Sequence, residues 1–296
     1  MKHFLFALSG LSLALSLALS NFNSAALAQE EAKADMDLAS EIQTVTYPRL
    51  AAQAELGTLA VLSHSIQFSQ NNTYFDYRKS GGQDTTFAVG KYLLDFELNP
   101  QHSLSFLYQP LNLTSQVVLD QELKQDNVTF AQGTPMRLQY DFPFFRASYL
   151  YDFNPDPFET LSAGISLQIR DAVIEFESLD GKQLVSQRNI GPVPILKFRS
   201  RNRFGDNWWW GTDIDGFYAP IRFLNGGSTD VVGAILDANL QVGYNYQDRY
   251  MPYLSLRYIA GGGEGTSNDR EFLGDGYTRN WLHFLSLSAG IRAQVF

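Results

Sequence analysis

The chain contains no cysteine, which excludes disulfide bracing of the fold and lipid attachment to a processed N-terminal thiol. It is also short of positive charge. Its 22 lysines and arginines face 31 aspartates and glutamates, a net charge of -9, so the basic patches that mark nucleic-acid partners are lacking. After the first thirty residues no apolar run is long enough for a helix to cross a bilayer, which takes about 20 residues. Histidine is scarce as well, with 4 in all.

What is present begins with "MKHFLFALSGLSLALSLALS", in which Lys2 and His3 precede an apolar stretch. Ala26-Leu27-Ala28 supplies small residues at a cleavage site. This reads as a secretory signal peptide over residues 1–28, removed after Ala28. The exported remainder is then either a soluble β protein or a transmembrane β-barrel, because a barrel strand needs only about 9 to 11 residues with alternate positions apolar.

Alternation decides between them. From Val231 to Tyr246, "VVGAILDANLQVGYNY" puts Val232, Ala234, Leu236, Ala238, Leu240 and Val242 on one face with Tyr244 and Tyr246. The other face holds Gly233, Ile235, Asp237, Asn239, Gln241, Gly243 and Asn245, almost wholly polar or glycine. Period two held this long exceeds the usual strand of about 5–6 residues. "YMPYLSLRYIA" continues the pattern after a tight turn, with Leu254, Leu256 and Tyr258 against Ser255 and Arg257. A soluble sandwich or lipocalin-like barrel would turn its apolar face inward and needs no strands of such length.

Ten strands are expected: Thr58 to Ser69, Thr85 to Leu98, His102 to Leu119, Val128 to Phe153, Phe158 to Ser178, Leu184 to Phe204, Asn207 to Pro220, Thr229 to Tyr246, Tyr250 to Gly261 and Arg279 to Phe296. Short connections ("NPQ", "NPDP", "GD", "QDR") alternate with mostly longer Gly-, Asn-, Asp- and Ser-rich ones. Such a layout puts turns in the periplasm and loops outside. The fold class is therefore all-β, a transmembrane antiparallel up-and-down barrel over residues 58–296, behind the signal peptide and an N-terminal extension at 29–57.

The last strand alternates Trp281, Leu285, Leu287, Ala289, Ile291 and Ala293 with Ser286, Ser288 and Arg292, and the sequence stops at Phe296. This pattern resembles the assembly signal of Gram-negative outer membrane β-barrel proteins, a group that includes small porin-like and omptin-sized barrels. Phe296 departs from the pattern by sharing parity with Arg292 and Gln294. The resemblance implies residence in the bacterial outer membrane, contact with its lipids and lipopolysaccharide, and insertion by the barrel assembly machinery. Residues 29–57 would then be periplasmic, as a linker or short plug.

On that topology "NWWWGTDIDGFY" follows a periplasmic turn, so Trp208, Trp209 and Trp210 are expected at the inner interfacial belt, with Tyr244 and Tyr246. Trp281 is expected at a membrane interface as well. Asp213 and Asp215 face inward. The preceding strand, "PILKFRSRNRF", places Lys197, Arg199, Arg201 and Arg203 on one parity. Adjacent antiparallel strands would bring this cationic ladder beside the two aspartates. Further lumen charge is expected from Lys91, Asp95, Glu97, Arg137, Asp141, Arg146 (after a bulge at Pro143), Arg170, Asp237, Arg257 and Arg292. The interior reads as a dense ion-pair network and not a greasy cavity, and ten strands filled with long side chains leave little room for a pore.

No stretch matches an omptin or lipid A deacylase motif. His102 falls at the periplasmic end, and His64 shares parity with Leu62 and Ile66, which points it outward. His283 is the only weak catalytic candidate, near the outer rim but on the parity of Trp281 and Leu285. The loop "GGGEGTSNDREFLGDG" is acidic and glycine-rich but lacks the regular ligand spacing of a calcium loop. No cofactor or metal is expected. The first functional reading is a structural or surface-interaction role; a narrow ion or solute channel and a lipid-modifying or proteolytic enzyme are the alternatives.

Overall fold

The computed structural model describes residues 46–154, 156, 159–220, 230–246, 249–266 and 275–296. The expected signal peptide, most of the extension, and half of the acidic glycine-rich loop lie outside these residues. The strands are β1 (Arg49–Phe68), β2 (Phe75–Asp76), β3 (Thr86–Glu97), β4 (His102–Gln109), β5 (Asn112–Val118), β6 (Leu123–Gln125), β7 (Val128–Phe130), β8 (Pro135–Asp141), β9 (Phe144–Asp152), β10 (Thr160–Ser178), β11 (Leu184–Phe204), β12 (Trp208–Pro220), β13 (Val232–Tyr244), β14 (Tyr250–Thr266) and β15 (Tyr277–Gln294). Ten of them close an antiparallel barrel in the order β1-β3-β4-β9-β10-β11-β12-β13-β14-β15, with β15 returning to β1. Closure leaves no sheet edge within the wall, the condition for crossing lipid with strands.

Two expected strands are divided, by a turn at residues 131–134 between β7 and β8 and by proline at the other breaks. Pro110 separates β4 from β5, and Pro143 separates β8 from β9, because proline has no N–H to give the ladder. The pairing frame nevertheless runs on through the breaks, bridged by the Phe142 N–H donating to the Leu111 carbonyl at 2.7 Å. The bulge expected at Pro143 is absent. Met136, Leu138, Tyr140, Phe144 and Arg146 are all buried on one parity. Arg137 and Asp141 therefore sit on the outer face and not in the lumen. β1 begins at Arg49 and not at Thr58, which brings Gln53 and Glu55 into the wall.

The outward face is apolar through the middle of the barrel: Ile165, Leu196, Leu254 and Leu287 are 64%, 66%, 62% and 62% exposed. A continuous apolar surface of this kind belongs against acyl chains. Phe204, Trp208, Tyr244, Tyr246 and Tyr250 collect at the edge of this band that carries the short turns, with Trp208 5.3 Å from Tyr244 between ring centres.

Further out, both faces exchange character. On β10 the outward series Ile165, Leu167, Ile169 gives way to Asp171, Glu175 and Glu177, while the inward series Ser166, Gln168, Arg170 gives way to Ala172, Ile174 and Phe176. On β14 and β15, inward Arg257 and Ser286 are followed by Ile259 and Phe284, while the outward ion pair Arg279–Glu264 (3.6 Å) lies beyond Tyr258 and His283. The physical cause is the solvent. Within lipid the outside must be apolar, and above the headgroups it meets water, so the protruding strands bury their apolar side inward as any soluble protein does.

Candidate functional site

β11 carries alternate cations because its inward parity is Lys197, Arg199, Arg201 and Arg203, and register places the aspartates of β12 opposite. Lys197 pairs with Asp215 and Arg199 with Asp213. Asp215 stands in turn across from Asp237 of β13. Lys197 Nζ is 2.8 Å from Asp215 Oδ2, and Arg199 Nε is 2.8 Å from Asp213 Oδ1.

Barrel closure then joins strands far apart in sequence. Arg146 of β9 donates Nη1 to Asp215 at 2.8 Å and to Asp237 at 3.0 Å. Arg257 of β14 grips Asp237 with two bonds of 2.6 Å. Arg199 reaches Asp95 at 3.0 Å, and Arg292 bridges Asp95 (2.5 Å) and Glu97 (3.1 Å). Signs alternate along one connected path: Arg257, Asp237, Arg146, Asp215, Lys197, Asp213, Arg199, Asp95, Arg292, Glu97. Each buried charge touches its opposite, the arrangement that offsets the desolvation of burying ions.

The network also includes residues beyond the expected ladder. Glu55 takes Lys91 at 2.5 Å and accepts from Gln241 and the Tyr253 hydroxyl. Gln53 donates to Asp95, Gln168 accepts twice from Arg146, and Gln109 accepts from Arg257. Glu55 fell outside the expected barrel, although Gln53, Glu55 and Gly57 alternate with Ala54 and Leu56 and could have extended the first strand. Arg170 is also on the inward face. It lies above the ladder on β10, with its guanidinium 6.0 Å from the ring centre of Phe142.

Above the ions the interior departs from the expected ion-pair network. Leu59, Ile66, Phe75, Tyr77, Phe130, Met136, Leu138, Tyr140, Ile174, Phe176 and Phe284 form an apolar core that fills the outer half of the lumen. His64 belongs here. A register shift between Val61 and Ser63 reverses the parity of β1 and turns the imidazole inward, not toward lipid. It stacks on Tyr77 at 4.0 Å, meets Tyr140 edge-on at 4.3 Å, and bonds Gln83 through Nδ1 at 3.2 Å. Burial pushes the Tyr77 phenol well above its ordinary pKa.

Five other expected residues are placed as follows. Trp208 is half exposed at the interface and Trp210 shares its face, but Trp209 is buried in the lumen. Three consecutive strand residues cannot all face lipid, because neighbours alternate. His283 is on the outer wall, its Nδ1 2.7 Å from the Tyr258 hydroxyl, while Ser286 lies on the opposite face. β15 ends at Gln294, and Phe296 is exposed beyond it. Among the described residues no group of three or more His, Asp or Glu is placed to hold a metal ion.

No protein-family model matches the chain, and no curated protein does either. Solved structures do resemble it. The outer membrane protease OmpT from Escherichia coli is 12% identical, with 85% of this chain and 99% of that one covered at a TM-score of 0.47. Ail, the attachment invasion locus protein of Yersinia pestis, is 10% identical over 82% and 98% at 0.33. Neisserial surface protein A is 11% identical over 83% and 96% at 0.30. At these values the likeness carries no argument about role. The closed antiparallel wall with its apolar outward band makes the chain a transmembrane β-barrel.

Proposed function

We propose that this protein is an integral outer membrane barrel whose lumen is a structural element and whose working surface is the extension of strands and loops outside the membrane. One observation carries this reading: the lumen is occupied along its length, by paired ions below and an apolar core above. That core is continuous with the protruding strands, so the extension is held rigidly on the barrel. It presents water-facing charge, including Asp171 with Arg188 at 2.5 Å and Arg137 near Glu177, to lipopolysaccharide headgroups or to a partner at the cell surface. The apolar wall contacts outer membrane lipid, and insertion falls to the barrel assembly machinery.

The test is single-channel recording of the refolded protein in planar bilayers, beside cold and heated gel mobility to establish a folded barrel. A folded, electrically silent protein is expected. Discrete steps that change with Arg199→Ala would replace this reading with a narrow channel.

A further inference from the structure

The periplasmic mouth of the barrel is a polar basin in which Arg49, Arg199, Arg201, Arg203 and Arg292 converge with Asp95, Glu97, Asp152 and Asp156. Most of these cations are already engaged. Arg199 holds Asp213 and Asp95, Arg292 holds Asp95 and Glu97, and Arg49 lies 3.5 Å from Glu97. Deeper in the lumen, Lys91, Arg146, Lys197 and Arg257 each have a carboxylate too. Arg201 differs: among the described residues no carboxylate lies within ion-pair distance of it. A guanidinium carries five donors in a planar fork, and those of Arg201 are in a basin open to the periplasm.

Arg201 is nonetheless held in place. Its guanidinium carbon lies over the indole of Trp209, 5.3 Å from the ring centre, a cation–π contact. Trp209 is itself fixed. A Cβ at Gly243 would come within 2.6 Å of the indole, so this glycine makes the room that the ring occupies, and Tyr253 packs at 5.8 Å. On the other side, register sets Thr160 of β10 directly across from Arg201. A positioned, carboxylate-free guanidinium beside further arginines, reachable from water, is the chemistry of an oxyanion site.

We propose that the periplasmic mouth binds an oxyanion at Arg201, a phosphate or carboxylate group of a periplasmic solute, with Trp209 as the platform that orients the fork. This site faces away from the cell surface and is independent of the surface role proposed above.

The experiment titrates the refolded full-length protein with inorganic phosphate, and separately with acetate, at an ionic strength held constant with sodium chloride, and reads tryptophan emission. Phosphate is expected to give a saturable change that the chloride control lacks. Arg201→Gln should weaken it ten-fold or more, the effect of losing charge-assisted hydrogen bonds, while heat-modifiable gel mobility is kept. Arg201→Lys, which keeps the charge and loses the fork, should bind several-fold more weakly than the native chain, and it serves as the test if the glutamine variant fails to fold. A response to phosphate alone assigns the site to phosphate, and a response to both anions assigns it to oxyanions generally. No saturable change with either anion, or one indifferent to both substitutions, overturns the proposal.

Discussion

Arg199 of β11 reaches across the lumen to Asp95 of β3, with Nη1 3.0 Å from Oδ1. The two strands are separated by β10, β9 and β4 along the shorter arc of the wall. This bond is a strut between opposite sides of the barrel, and it makes the first prediction.

Arg199→Ala leaves the buried Asp95 and its neighbour Asp213 each short of a cation. Loss of one partner from a buried ion pair costs about 3–5 kcal/mol. Urea unfolding in detergent micelles should show that loss. A variant within 1 kcal/mol of the native protein would mean that the strut is dispensable.

Phe176 is buried in the outer core, edge-on to Phe75 with ring centres 5.5 Å apart. Phe176→Ala removes a large ring from a packed site, a change that costs about 3–5 kcal/mol. The damage should be local. Limited proteolysis is expected to cut the extracellular hairpin of β10 and β11 faster, while the membrane-embedded barrel keeps its cold-gel mobility.

Leu167 and Glu175 share the outward face of β10 but lie on either side of the inferred lipid boundary. Arginine at Leu167 would stand in acyl chains, at a cost of about 2–4 kcal/mol near the midplane. Arginine at Glu175 would stand in water and change stability by about 0.5 kcal/mol or less. Equal effects of the two substitutions on folding into vesicles would move the boundary.

Asp275 ties two outer loops, accepting the Gln70 N–H at 2.9 Å and the Tyr277 N–H at 3.0 Å. These backbone donors hold its carboxyl below the ordinary aspartate value, about 4. A depressed folded pKa makes the contribution complete above that ordinary value and progressively lost as pH falls through the folded one. Amide exchange at Gln70, corrected for the intrinsic rate, should accelerate on acidification below about pH 4. Asp275→Asn should remove that dependence.

Much of this was written in the alternation. Period two along Val231–Tyr246 marks a strand and its two faces, and Lys197, Arg199, Arg201 and Arg203 declare themselves a ladder because only one parity carries them. Adjacent strands joined by a tight turn also fix local partners, so Arg199 beside Asp213 follows from the hairpin.

Alternation does not say which side is wet. Met136, Leu138 and Tyr140 face inward and Arg137 outward because they stand above the lipid, and height relative to a bilayer is a property of the assembled wall. A one-residue register shift at Val61 sends His64 to the opposite face from its sequence parity. Arg146 and Asp95 meet their counter-charges only because the barrel closes, bringing together strands that no local pattern relates. The sequence determined the strands, their faces and the pairings between neighbours. Closure and the position of the membrane decided the partners across the lumen, the dry core above them and the orientation of Trp209, since these depend on contacts between distant strands and on which solvent each height of the wall meets.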